Sequence, residues 1–552
     1  MTCILLGLIA ACGRGSSANR PDDAGLDVPV DACDHGACAD AAPGDAPADT
    51  PGDAPAQIVA RKSVAVIVDF ANAQLEDWQG PGFNNLAEVA TQLHAMEAHW
   101  EFLSRGRETM HWDIIRVQLP RPLTNTAYPD FNAFRDAAVL AAKQQLSVAD
   151  YDANGDGIID TMWLITSDNG TRPPYLVGGT SQNEGANNFG DGQDSDSVVG
   201  GATGNFNHEV GHTFGLPDIY GSYDSLQDLT VMSSSWPLPA NDFTAFERIR
   251  LGWVTPQVIT QSTAGLILPD AGTHLAAIKV PTGRPEEYFL LEYRKKPETG
   301  FGSAAGFDFD GIAVYHVFEA SNQAVDPPLL KLEPADGTTA TTLVPAPTDF
   351  AYPGNPAMRS PFVLRTYFGG DPVFQLDHLA WTADGAIAFD LTILSVGPGS
   401  APNLVANSTF EPGTTGWIHG GYLPDAAVFD WAGIGANASQ HSVSVSSSIS
   451  NDVEWSTPLT GLTTGSSVFM CGFLRGENIA GGAGGSISIS ATFLQTAGLH
   501  GTFDFTRACA VVTAFATSFD VACRLGGFSS TTSGALWCDD VTVVPLTRVF
   551  AP

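Results

Sequence analysis

The stretch that decides the organisation of this chain is His208-Glu-Val-Gly-His212-Thr-Phe-Gly215-Leu-Pro217-Asp218. Its two histidines are four residues apart, so on an α-helix both imidazoles lie on one face, one turn from each other. Gly215 follows at a position where a helix can end in a left-handed turn, which glycine adopts at low cost. Pro217 prevents the helix from resuming. The spacing therefore predicts a turn after Gly215 that brings Asp218 back towards the histidines.

This combination of side chains is typical of a zinc site. Three protein ligands and one open position form the usual coordination of catalytic zinc, and we predict His208, His212 and Asp218 as the ligands. Glu209 is adjacent to the first ligand and can accept a proton from a zinc-activated water, which makes it the candidate catalytic base. Glu247 is the alternative third ligand, but the turn described above favours Asp218.

Two further segments strengthen this prediction. Val231-Met232-Ser-Ser-Ser could supply the methionine turn that underlies the metal in metzincins. Together with His208 to Tyr220 and Phe246-Glu-Arg-Ile-Arg-Leu-Gly-Trp253, it resembles the immune inhibitor A-like family of bacterial zinc metallopeptidases. The resemblance covers about residues 60–395. It implies a secreted, metzincin-like zinc metalloendopeptidase with protein or peptide substrates, in which Asp218 takes the place of the usual third histidine.

The order of apolar segments predicts an α/β unit around this site. Strands and helices alternate, with the helical segments showing one apolar face. We predict a zincin catalytic domain over residues 58–256, with elements at 64–70, 85–103, 112–119, 131–146 and 161–166.

Two β-rich regions follow. Residues 257–396 contain apolar strands separated by Pro/Gly loops, which predicts a β-rich companion domain. Residues 397–552 contain short Ser/Thr/Val strands, which predicts a β-sandwich. The opening Asn403 to Trp417 and the ending Trp537 to Val543 resemble jelly-roll carbohydrate-binding modules of the galactose-binding-like fold. That resemblance implies glycans as further partners.

Aromatic and acidic residues of the last region are the candidates for ligand contacts. The aromatic side chains could stack on sugar rings, although a core position is the simpler interpretation for the first of them; they are Trp417, Tyr422, Trp431 and Trp455. The same resemblance implies a structural calcium site near Glu411 and Asp540.

The cysteines point to an oxidising compartment. Four of them fall in the last region, where they predict two disulfides with three open connectivities; they are Cys471, Cys509, Cys523 and Cys538.

The N-terminal segment supports export. Residues 1–12 are apolar and resemble a signal peptide that ends in a lipobox, so Cys12 is a candidate lipidation site. Residues 13–57 are Ala-, Asp-, Pro- and Gly-rich and predict a disordered tether. We expect an extracellular or outer cell-surface protein that meets a membrane only through such a lipid anchor. Because 60 acidic residues outnumber 25 basic ones, no nucleic-acid partner is expected.

A second metal site is predicted upstream of the zinc motif. Asp152, Asn154, Asp156 and Asp160 occupy positions one, three, five and nine of a calcium loop, and the carbonyl of Ile158 would complete it. A glutamate at position twelve is missing, so a variant with aspartate at position nine fits better. We expect a structural Ca²⁺ there.

Two other functions remain open from the sequence. The chain could be a catalytically inactive surface adhesin that binds glycans, or a zinc hydrolase that acts on another bond. The complete set of Glu209 and three ligands favours the peptidase.

Overall fold

The computed structural model of the chain describes residues 59–72, 74–77, 85–120, 131–153, 155, 157, 159–166, 175–176, 203–220, 226, 229–233, 242–298, 308–323, 325–338, 345–490, 492, 494–527 and 530–547. The predicted signal segment, Cys12 and the tether lie outside these residues. Within the described ranges, none of the helices combines the length and apolarity needed to cross a bilayer.

The N-terminal region is a mixed sheet flanked by helices. Its strand order is β2-β1-β3-β4, with β1 parallel to both β2 and β3. Its strands are β1 (Val59–Asp69), β2 (Glu108–Gln118), β3 (Met162–Thr166) and β4 (Tyr175–Leu176), and its helices are α1 (Leu86–Ser104), α2 (Phe131–Lys143), α3 (Thr203–Thr213) and α4 (Ala245–Arg250). The predicted alternation of strands and helices is therefore present.

Strand β1 is covered on both faces. Ala65 and Ile67 belong to the apolar core that contains α1 and α3, whereas Val64, Val66 and Val68 belong to the core beneath α2. Alternate residues of a strand point to opposite faces, so a central strand with helices on both sides is apolar throughout.

Helix α3 packs against helix α1. The Asn85 side chain caps its first turn by accepting from the Glu88 amide, at 3.1 Å. From α3, the Asn207 amide nitrogen lies 2.9 Å from His99 Nδ1 on α1. Both side chains are fully buried, so this contact fixes α3 laterally.

Residues 257–393 form two sheets packed face to face. The strand orders are β10-β9-β8-β7-β5 and β11-β12-β13-β6. The strands are β5 (Gln257–Val258), β6 (Thr263–Leu268), β7 (Ile278–Pro281), β8 (Glu287–Lys295), β9 (Asp310–Phe318), β10 (Leu330–Leu332), β11 (Phe362–Arg365), β12 (Pro372–Trp381) and β13 (Ile387–Ile393). Alternate residues of β8 enter different cores: Leu290 faces the N-terminal region and Leu291 the second sheet.

A charged group lies at the centre of this region. His316 is fully buried, with Nε2 2.8 Å from Glu287 Oε1 and Nδ1 3.0 Å from Glu333 Oε1. Its ring stacks on Tyr367 at 3.9 Å. Burial alone would lower the pKa of His316, but the two carboxylates raise it above its ordinary value.

The C-terminal region is an antiparallel β-sandwich. Its sheets have the orders β14-β17-β21-β19 and β15-β16-β22-β18-β20. The strands are β14 (Ile418–Gly421), β15 (Val428–Ala432), β16 (Ser442–Asn451), β17 (Val453–Thr460), β18 (Ser467–Ala480), β19 (Gly485–Ile489), β20 (Gly501–Thr513), β21 (Ser518–Leu525) and β22 (Thr532–Pro545). The prediction of a β-rich, multidomain chain ending in a jelly-roll-like sandwich is confirmed at this level.

The cysteine prediction needs a correction. Cys471 and Cys509 lie opposite each other on β18 and β20 and form a disulfide. Cys523 and Cys538 are buried free thiols, so a second disulfide is not formed. Burial, together with a hydrogen bond to Cys523, raises the pKa of the Cys538 thiol well above its usual value.

Candidate metal centre

Helix α3 ends as the sequence predicts. Gly215 has a φ of +78°, its amide donates to the His212 carbonyl at 3.0 Å, and the Leu216 amide donates to the Gly211 carbonyl at 3.1 Å. This pair of bonds closes the helix by a left-handed residue at its C-terminus. The chain then turns back along α3 and carries Asp218 to the face that holds the histidines.

Three side chains converge at this face. Asp218 Oδ1 lies 3.1 Å from His208 Nε2 and 3.1 Å from His212 Nε2. One ligand atom from each of the three lies within 4.8 Å of those from the other two. Donor atoms at about 2.0–2.1 Å from one tetrahedral ion would be about 3.3 Å apart, so the observed separations suit zinc.

The other nitrogen of each imidazole is already bonded. His208 Nδ1 lies 2.7 Å from the Val231 carbonyl oxygen, and His212 Nδ1 lies 2.7 Å from the Leu216 carbonyl oxygen. In the neutral form of each ring, a proton on Nδ1 would be accepted by the carbonyl, and the Nε2 lone pair would face the Asp218 carboxylate. A positive charge at Nε2, from a proton or from a metal cation, makes this contact attractive.

Charge interactions in the cluster favour a positive charge beside Asp218. Burial would raise the pKa of Asp218, but hydrogen bonds with the two imidazoles hold it well below its ordinary value. Burial would lower the pKa of His212, but Asp218 and, more weakly, Glu209 raise it. The face of α3 thus favours paired negative and positive charge.

Met232 lies directly beneath the helix. A Cβ atom on Gly211, between the two histidines, would be 2.6 Å from Met232 Sδ, so only glycine allows this contact. Met232 is fully buried, and its carbonyl accepts from the Ile219 amide at 2.7 Å. The residue therefore supports both α3 and the turn that carries Asp218.

Two glutamates lie in different environments. Glu209 is half-buried on α3, next to His208, and its role as the base stays a prediction. Glu247 is fully buried, and its carboxylate accepts from Thr230 and Thr244. These bonds inside the core do not favour the alternative that Glu247 is the third ligand.

Sequence reasoning missed the groups that hold the ligands. The carbonyls of Val231 and Leu216 carry no side-chain signature, and only the fold brings them to the imidazoles. Asp242, which pairs with Arg105 and Arg248, was also missed. An aspartate followed directly by Phe243, just before the Thr244 N-cap of α4, is the signal that could have indicated it.

The predicted calcium loop is only partly described. Asp152 accepts from the amides of Gly155 and Gly157 at 2.7 and 2.8 Å, and Asp160 accepts from the Ala153 amide at 2.9 Å. The other three predicted ligands, Asn154, Asp156 and Ile158, lie outside the described residues. The calcium site stays a prediction.

The four aromatic candidates of the sandwich divide into two pairs. Trp417 and Trp455 are core residues. A core position is the simpler of the two interpretations given above for Trp417. Tyr422 and Trp431 are 70% and 42% exposed, and Trp431 Nε1 donates to the Phe410 carbonyl at 2.8 Å. Only the second pair can meet a ligand in solution.

The acidic candidates of the sandwich are bonded to the protein. Glu411 Oε1 accepts from Ser439 at 2.6 Å and from the Gln440 amide at 2.7 Å. Asp540 Oδ2 accepts from the Asn437 side chain at 2.9 Å. Hydrogen bonds led by that of Ser439 lower the pKa of Glu411 to about 2.

Comparisons with known proteins identify no family. No family model and no curated protein matches the chain. Solved structures match about a quarter of it. TmCBM61 in complex with β-1,4-galactotriose is 13% identical, with a TM-score of 0.19, and covers 26% of this chain and 98% of that one. The CBM22-2 xylan-binding domain from Paenibacillus barcinonensis Xyn10C is 15% identical, with a TM-score of 0.20, and covers 25% of this chain and 97% of that one.

A third match is the enzymatically active domain of the bacteriophage CBA120 tailspike protein 4. It is 12% identical with a TM-score of 0.21, and the match covers 26% of this chain and 21% of that one. The chain thus spans about a fifth of the tailspike domain's length. These three similar structures are two carbohydrate-binding modules and a phage enzyme domain.

Proposed function

We propose that this chain is a zinc metalloendopeptidase with a zincin-type catalytic region at residues 58–256. One observation carries the proposal. His208 Nε2, His212 Nε2 and Asp218 Oδ1 meet at one point, while both Nδ1 atoms are bonded to carbonyl oxygens. Two imidazoles whose Nε2 atoms face one carboxylate match the ligand set of catalytic zinc.

Zinc bound there would act as a Lewis acid and lower the pKa of a coordinated water. The protein's own residues would do the rest. His208 and His212 would each carry the proton on Nδ1 and turn the Nε2 lone pair towards the ion. Zinc binding would then need little rearrangement of either ring. Glu209 follows the first histidine on α3 and is half-buried. From that position its carboxylate would take a proton from water and return it to the leaving amine.

The proposal includes a cellular setting. The resemblance to secreted metallopeptidases, the Cys471–Cys509 disulfide and the apolar N-terminal segment support an exported enzyme. Lipidation at Cys12 would keep it at the outer surface. Protein substrates would then be extracellular.

The experiment compares wild type with Glu209→Gln, which removes the base but keeps the ligands. We expect both to hold zinc and only wild type to cleave casein, with a rate loss of about 10²–10⁴-fold in the variant. 1,10-Phenanthroline should abolish wild-type cleavage, and added zinc should restore it. Equal cleavage by the variant would refute the role of Glu209. Wild type that holds zinc but leaves casein intact would favour a hydrolase of another bond.

Glycan binding by the C-terminal sandwich is the second candidate function. Tyr422 and Trp431 are exposed aromatic residues, and the Trp431 indole is held by its bond to the Phe410 carbonyl and by stacking on His441. If glycan binding were the sole function of the chain, the protein would be a catalytically inactive adhesin. Affinity electrophoresis in galactan and xylan gels would test it, since retardation should be lost in Trp431→Ala and kept in a variant of the core-facing control, Trp455→Phe.

A further inference from the structure

We propose that Glu247 is a positioning residue for the metal centre, acting through Thr230 on the Val231 carbonyl that orients His208. This inference rests on the proposed function, because it assumes that His208 binds zinc. Glu247 itself touches neither the ligands nor a substrate, and its effect would pass through one short loop.

The Glu247 carboxylate is bonded at both oxygens. Oε1 accepts from the Thr230 hydroxyl, and Oε2 accepts from the Thr244 amide at 2.7 Å and from the Thr244 hydroxyl. The contacts to Thr244 cap the first turn of α4. The contact to Thr230 is different, since it reaches 17 residues back along the chain to another segment.

Thr230 opens the loop that contacts the metal ligands. Its hydroxyl accepts from the Met232 amide at 3.1 Å, so donation to Glu247 and acceptance from Met232 fix the rotamer and the turn together. The Val231 amide donates to the Asp242 carbonyl at 2.9 Å. The Val231 carbonyl is thereby left to face His208 Nδ1, at 2.7 Å.

The same loop reaches the third ligand. The Met232 carbonyl accepts from the Ile219 amide at 2.7 Å, next to Asp218. A shift of residues 230–232 would therefore disturb His208 and Asp218 at once. Because partners of metal-binding histidines set ring orientation, loss of such a partner typically weakens metal binding about 10–100-fold.

The burial of Glu247 adds to this argument. Its side chain is fully inside the apolar core, where a carboxylate is costly unless its hydrogen bonds are satisfied. The capping contacts use only Oε2, so they do not account for the direction of Oε1 towards Thr230. The hydrogen bond from Thr230 to Oε1 ties the carboxylate to the loop at residues 230–232.

The test measures the zinc dissociation constant of the full chain by competition with a chromophoric chelator. The variants are Glu247→Gln, Thr230→Val, which removes only the hydroxyl, and Thr230→Ser, which keeps it. Glu333→Gln is the matched control, because Glu333 is a buried carboxylate bonded to His316 and remote from α3 in sequence. Urea midpoints are recorded for all variants.

We expect Glu247→Gln and Thr230→Val to bind zinc about tenfold more weakly, with Thr230→Ser close to wild type. Glu333→Gln should lower the urea midpoint and leave zinc affinity unchanged. Wild-type affinity in Glu247→Gln and Thr230→Val would overturn the inference while leaving the proposed function intact. Equal weakening in Glu333→Gln would also overturn it, because the effect would then be general destabilisation. A wild type without zinc affinity would overturn the proposed function and this inference with it.

Discussion

The contact between Gly211 and Met232 predicts that Gly211→Ala destabilises the protein, whereas the same substitution in a helix ordinarily stabilises it. Glycine to alanine within a helix ordinarily stabilises a protein by about 1 kcal/mol. Here the new Cβ would lie 2.6 Å from Met232 Sδ and 3.3 Å from Leu216 Cδ1. Met232 is fully buried and cannot swing into solvent, so overpacking of about 1–3 kcal/mol opposes the gain. Gly211→Ala should therefore destabilise wild type by up to about 2 kcal/mol.

Removing Met232 should reverse this effect. Met232→Ala alone should cost about 2–5 kcal/mol, because it leaves a cavity under α3. In that background the Cβ of Gly211→Ala meets no sulfur, so the same substitution should stabilise by about 1 kcal/mol. The coupling energy of the double-mutant cycle is then negative, by about 1–3 kcal/mol.

The assay is urea denaturation of the four proteins, followed by circular dichroism. Gly215→Ala is the control, because its φ of +78° strains alanine while no heavy atom lies within 4 Å of the new Cβ. It should cost about 1 kcal/mol in both backgrounds. If Gly211→Ala stabilises wild type, or if the two substitutions are additive, Met232 does not pack tightly beneath α3.

Two further predictions concern the β-rich regions. Because the pKa of His316 is raised by Glu287 and Glu333, the stability it contributes is complete below its unfolded pKa of about 6.5 and is lost as pH rises through the folded value. The difference in free energy of unfolding between wild type and His316→Gln should shrink over that pH range, and a constant difference would refute an imidazolium. Cys523 and Cys538 are buried free thiols, so iodoacetamide should label them only after the protein is unfolded. That labelling should need no reductant. Peptide mass spectrometry showing them joined in a disulfide would contradict this assignment.

Local sequence patterns best predicted which side chains lie together at the end of α3. The convergence of His208, His212 and Asp218 depends on one helix and one turn, so spacing and a glycine suffice to predict it. The position of Met232 came from family resemblance, and the structure adds the physical reason in Gly211. In both cases the information lies within about 25 residues of chain.

Features that depend on distant segments could not be predicted. Glu247 resembled a ligand in the sequence, and only the tertiary structure brings Thr230 to its carboxylate. His316 and its two glutamates lie in apolar strands, where isolated charges could have indicated a buried ionic group. Their pairing depends on which strands are neighbours and in what register, and single strands read one at a time do not reveal that. The pairing of Cys471 with Cys509 likewise depends on the register of β18 with β20.

The most direct test of the central claim is the zinc content of the purified chain, measured by inductively coupled plasma mass spectrometry after dialysis against zinc and then buffer. Wild type should retain about one zinc per chain, and Asp218→Ala, which removes one of three ligands, should retain far less. A wild type that retains no zinc, or an Asp218→Ala variant that retains as much as wild type, would contradict the account.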